Sequence, residues 1–110
     1  MKRHPKHWLA LYRPPEKDAR TWGVRAIDVG YTIIPPNGVY PPRHHPDSYL
    51  FEWERGRVFS EYQFLAVTRG GGEIETASAG RLDVHAGDIF VLFPGEWHRF
   101  RPRLETGWNE

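Results

Sequence analysis

The chain has 110 residues, enough for one hydrophobic core and too few for a core plus a second independent unit. Aromatic residues make up 15% of it and the hydrophobic set 39%, which excludes disorder throughout, while 15 Lys and Arg against 14 Asp and Glu leave a net charge of +1 and no field that draws the chain to nucleic acid or membrane. With zero cysteines there is no disulfide, no thiolate nucleophile and no thiolate metal site.

Residues 1–20 carry Pro5, Pro14 and Pro15 among charged side chains and follow neither the helical nor the strand period. They read as an N-terminal arm rather than a strand, with Trp8, Leu9, Leu11 and Tyr12 as the groups it has to bury. The same apolar run is too short to serve as a secretion signal or to span a membrane, so the chain reads as cytoplasmic with no membrane partner.

Beyond the arm, prolines and glycines cut residues 21–110 into short segments whose apolar positions alternate or run together, which predicts an all-β barrel or sandwich. The predicted strands are Gly23–Val29, Tyr31–Ile34, Tyr49–Trp53, Tyr62–Thr68, Gly72–Thr76, Arg81–Val84, Asp88–Phe93 and Trp97–Arg101. The proline-dense stretch from Pro35 to Pro46 is loop or edge, and it holds His44 and His45. The chain stops on a Trp entering a strand, which reads as a module cut from something longer.

The segment from Gly87 to His98, GDIFVLFPGEWH, has five consecutive apolar residues and reads as a strand buried on both faces, ended by Pro94 and Gly95. Gly87 and Gly95 supply the positive φ that turns require, and His98 comes back on a neighbouring strand facing inward, with Phe100 on the same face and Trp97 on the other. The offsets of Gly87, Gly95 and His98 resemble the second cupin signature, with Pro94 displaced by one position. The stretch from Glu61 to Gly72 has the hairpin shape of the first cupin segment, but Phe59, Glu61 and Leu65 stand where metal-binding cupins place their ligands. One imidazole without partners is a poor metal site, which usually needs about three protein ligands.

The joint pattern of YQFLAVTRGGG at Tyr62–Gly72, Gly-Asp followed by Phe-Pro-Gly and His over Gly87–Pro102, and the terminal GWNE resembles the N-terminal effector-binding and dimerisation domain of AraC-type transcription regulators. The resemblance implies a small cupin-like (double-stranded β-helix, jelly-roll) barrel over residues 21–110 behind the arm, holding a small-molecule effector, possibly a monosaccharide. It further implies a non-enzymatic sensor without cofactor or metal, a homodimer, and DNA contact made only through a helix-turn-helix domain outside this chain. The effector ligands it implies are Arg55, His98, Phe100, Trp108 and Glu110. A guanidinium fork suits two hydroxyls or a carboxylate, and an aromatic platform beside an acceptor carboxylate suits a hydroxyl-rich ligand. The resemblance places a tyrosine where this chain has Phe100, so a hydroxyl is missing there. The alternative is a small metal-dependent cupin enzyme, an isomerase or dioxygenase, in which His98 acts with His44, His45, Glu52 or Glu61.

Overall fold

The computed structural model describes residues 8–12, 26–41 and 53–110, and the chain divides into two units, Met1–Ile33 and Ile34–Glu110. Among the described residues every regular element is a strand: β1 Trp8–Tyr12, β2 Asp28–Ile34, β3 Arg57–Val58, β4 Gln63–Ala66, β5 Arg69–Thr76, β6 Gly80–His85, β7 Ile89–Leu92, β8 Trp97–Pro102 and β9 Trp108–Asn109. The all-β class read from the apolar spacing is therefore what forms. No helix here is long and apolar enough to cross a membrane.

In the first unit, β1 pairs antiparallel with β2, Trp8 opposite Thr32 and Leu11 opposite Val29. This corrects the expectation of an irregular arm at Trp8–Tyr12. Strand pairing satisfies backbone N–H and C=O groups whatever the side-chain period, so a segment without alternation still adds to an edge. The predicted strands Gly23–Val29 and Tyr31–Ile34 are one element where described, because Gly30 lies against the Leu9 backbone inside the β1–β2 pair and does not break it.

In the second unit β5 is the central strand. It pairs with β6 through Gly71–Thr76, with β8 through Gly72–Thr76 and with β9 at Arg69 and Gly70, and β3 adds to the far edge of β8. β4 and β7 form a separate two-stranded sheet. Two expectations change here. The stretch from Glu61 to Gly72 is not a hairpin, because β4 pairs with β7 and β5 with β6. Likewise the turn at Pro94–Gly95 does not fold β8 back on β7; it hands the chain from the smaller sheet to the larger one, with Gly95 at φ 80° and its N–H bonded to the Phe59 carbonyl. Trp53, predicted to end a strand, lies in a turn, and residues 49–52 fall outside the described set.

The core is Ile34, Leu65, Val67, Ile74, Val84, Leu92, Phe100 and Trp108, with Tyr40 and Phe90 packed on it. Burying an aliphatic or phenyl side chain of this kind stabilises by roughly 1.5–3 kcal/mol. β7 is not buried on both faces as its apolar run suggests: Phe90 and Leu92 point into the core while Ile89, Val91 and Phe93 point out. Gly72 permits a close approach, since a Cβ there would run into the Arg101 carbonyl and stand 2.7 Å from the Trp108 ring. The glycine run at the start of β5 is thus what lets β9 and its tryptophan lie flat on that strand.

Candidate functional site

Alternation along β8 sends His98 and Phe100 inward and Trp97, Arg99 and Arg101 outward. The outward arginines join a cross-strand ionic lattice, in which Glu73 accepts from Arg81 and Arg101, and Glu75 accepts from Arg99. Inward, Phe100 is the hub of an aromatic group: Trp108 lies 6.2 Å from it between ring centres, Tyr40 6.3 Å, Phe90 5.3 Å and the His98 ring 6.0 Å, nearly parallel.

Polar groups converge on this aromatic floor. β3 sets Arg57 opposite His98, and the Arg57 Nε donates to His98 Nε2 at 3.3 Å while the guanidinium lies 4.5 Å above Phe59 and 5.1 Å above Phe100. Because Nε2 accepts, the imidazole proton sits on Nδ1, which donates to the Glu96 carbonyl at 3.2 Å. Burial, then the nearby Arg57 charge, hold the His98 pKa below its ordinary value, while the Glu96 contacts oppose the shift. His98 is a buried ring with both nitrogens engaged, Nε2 by Arg57 and Nδ1 by the Glu96 carbonyl.

A second pair lies across the hub. The Tyr40 hydroxyl donates to Glu110 Oε2 at 2.9 Å. Burial raises Glu110 to about 7, against the contacts with Tyr40 and Trp108 and the charge of Arg57, all of which favour its carboxylate form. Burial and the neighbouring carboxylate push the Tyr40 phenol well above its usual range, so it stays a donor. Among the described residues two buried side-chain atoms have no hydrogen bond of normal geometry: Nε1 of Trp108, near enough to favour the Glu110 charge, and Oε1 of Gln63. One is a donor and the other an acceptor.

Of the residues implied by resemblance, the structure brings His98, Phe100, Trp108 and Glu110 together. Arg55 stands apart, exposed in the turn before β3, where its carbonyl accepts from the Trp97 indole at 2.8 Å. The guanidinium inside is Arg57, two residues on, across from His98. Tyr40, Arg57 and Gln63 were missed. The signal for Arg57 was the Gly56 that precedes it, whose positive φ of 66° turns the chain into β3 against the Trp97 indole. Tyr40 restores a phenol beside Phe100, supplied from a loop instead of from β8. His44, His45 and Glu52 lie outside the described residues, and Glu61 is exposed and bonded to Ser60.

Tyr40 also lines a cleft of about 450 Å³ together with Ile34, Trp53, Glu73, Arg101 and Leu104. Glu73 and Arg101 alternate with Ile74 and Phe100 and face away from the core, so this cleft meets the buried cluster at Tyr40 and not at His98 or Trp108.

A family model described as the AraC-like ligand binding domain matches residues 36–110, a span that includes Tyr40, Arg57, Gln63, His98, Phe100, Trp108 and Glu110. No curated protein and no solved structure gives a significant match.

Proposed function

Since the chain belongs to the family of AraC-like ligand-binding domains, we propose that it senses a small, hydroxyl-rich effector, a monosaccharide or its acid, at the Arg57, His98, Tyr40 and Glu110 cluster. The family makes it a regulatory ligand-binding domain of cupin-like build. The observation that carries the finer reading is the convergence of the Arg57 guanidinium and the Tyr40–Glu110 pair on a stacked aromatic floor of Phe100, His98 and Trp108. A hydroxyl both gives and takes a hydrogen bond, so it suits a guanidinium, a phenol and a carboxylate alike. Aromatic faces cover the apolar side of a sugar ring, while Arg57 takes oxygens two at a time.

In this reading the module does no chemistry, works in the cytoplasm as one of a pair of copies, and acts on DNA through a helix-turn-helix domain elsewhere in the regulator. Arg55 has the weaker claim as a ligand and Arg57 the stronger, because only Arg57 reaches the cluster. Effector binding shifts the protein between states in proportion to its differential affinity for them.

Titration calorimetry with L-arabinose, D-galactose and D-glucuronate tests the reading. Saturable heat with at least one of them, lost in Arg57→Met, is the expected result. Absence of binding across neutral and acidic monosaccharides would sink the sugar assignment.

A further inference from the structure

The arginines on the outer face of β6, β5 and β8 are not all engaged alike. Arg81 donates from both Nε and Nη2 to Glu73 Oε2, and Arg99 donates from Nε to Glu75 Oε1 and from Nη1 to the Trp53 carbonyl at 3.0 Å, with its Nη2 also on Glu75. Arg101 is held differently. Its Nε donates to Glu73 Oε1 at 2.8 Å and its guanidinium carbon lies 3.7 Å from the centre of the Trp53 ring, while neither of its Nη groups has a hydrogen-bond partner among the described residues. Trp53 is itself fixed, its carbonyl by Arg99 and its ring by the Arg99 guanidinium at 4.4 Å. The result is a guanidinium steadied at one edge and on one face, with its terminal fork open. Glu73 does not cancel it, because that one carboxylate is shared between Arg81 and Arg101 and the three groups sum to +1.

This fork lines the cleft of about 450 Å³, a size usual for small-molecule sites, whose walls are otherwise apolar at Ile34, Pro41, Pro102, Leu104 and the ring of Tyr40. The Tyr40 hydroxyl is turned to Glu110 and leaves the cleft only its ring. We propose that this outer cleft is a second ligand site, taking a small monocarboxylic acid with an aromatic body. The two Nη groups of Arg101 match the two oxygens of a carboxylate, and the ring of the acid lies against Tyr40, Pro41 and Leu104. Because Glu73 and Trp53 already restrain the guanidinium, little of its rotamer freedom remains to be lost on binding. Glu105, exposed and also lining the cleft, sets a like charge against any second carboxylate, which favours a monoacid over a diacid. The inference goes beyond the sensor reading and does not rest on it, since Arg101 and Trp53 take no part in the buried polar cluster.

Titration calorimetry with phenylacetate and indole-3-acetate reads the site, with phenylacetamide as the uncharged match. The expected result is saturable one-to-one binding of at least one acid, and affinity about tenfold or more weaker for the amide. Arg101→Lys keeps the charge and removes the fork, and should weaken the acid about tenfold or more at unchanged circular dichroism. Leu104→Glu, at a position 64% exposed, puts a carboxylate in the cleft without touching Trp53 or the ion pairs. It should cause a loss of the same order, and it keeps the test open should the Arg101 variant fail to fold. Absence of binding by both acids overturns the proposal. Equal affinity for acid and amide overturns the carboxylate assignment, and binding indifferent to both variants puts the acid elsewhere and overturns the site.

Discussion

Arg57 and His98 stand in a one-way relation: the guanidinium Nε–H donates a hydrogen bond to imidazole Nε2, and the ring Nδ1–H donates one to the Glu96 carbonyl. Chemical shifts of the ring nitrogens should therefore show His98 neutral, protonated on Nδ1, with a pKa below the ordinary histidine value. Because the folded-state pKa is lowered, the stability tied to the neutral ring is present above the unfolded value near 6.5 and is lost as pH falls below it. Arg57→Met should move the His98 titration upward. A ring protonated on Nε2 in the wild type would contradict the arrangement.

The two arginines flanking Gly56 separate cleanly by experiment. Removing the Arg57 guanidinium, as in Arg57→Met, should weaken effector binding by about 1.5–3 kcal/mol, the worth of charge-assisted hydrogen bonds, or roughly ten- to a hundredfold in Kd. Arg55→Ala should leave the affinity within twofold or so, because only its backbone carbonyl is engaged. Calorimetry on both variants decides it, and equal losses would return Arg55 to the site.

Glu110 makes stability pH-dependent with a definite sign. Its carboxyl is raised from 4.5 to about 7 in the folded chain. Between those values the folded state binds more protons than the unfolded one, so this group's contribution falls as pH rises through the window and levels off above about 7. Glu110→Gln keeps an acceptor for Tyr40 and removes the titration. Its stability relative to wild type should grow from pH 5 to pH 8 by up to ~3 kcal/mol, read from urea unfolding at each pH. A pH-independent difference would show that Glu110 titrates normally.

The strands that the sequence made legible are those bordered by turn glycines and carrying alternation: β5, β6 and β8, with His98 and Phe100 rightly set on one inner face. β7 was found but its burial was misjudged. An unbroken apolar run reports that both faces are greasy, not that both are covered, and Ile89 and Phe93 face outward. β3 has two residues and hence no period to read, which is why Arg57 was passed over in favour of Arg55. Tyr40 was hidden differently. It sits in a proline-dense loop whose only local message is irregular backbone, and its partner Glu110 is 70 residues away in sequence.

Gly72 offers a stability test of the close approach between β5 and β9. A methyl there meets the Trp108 ring and the Arg101 carbonyl. Gly72→Ala should cost about 1–3 kcal/mol of unfolding free energy, the usual penalty for overfilling a packed site. Trp108→Leu, by making room, should recover part of that cost in the double variant, and additive losses would mean the strain is relieved elsewhere.

The phenol that meets Glu110 comes from the segment between β2 and β3 and not from a barrel strand. Residue 100, by contrast, is held by pairing to Ile74 and by contacts with four other rings and a guanidinium. An oxygen on a loop is cheap to vary. On the proposed reading, ligand preference in this chain is able to drift by exchange of one loop residue, with no strand re-registered and no barrel-strand ring of the floor replaced.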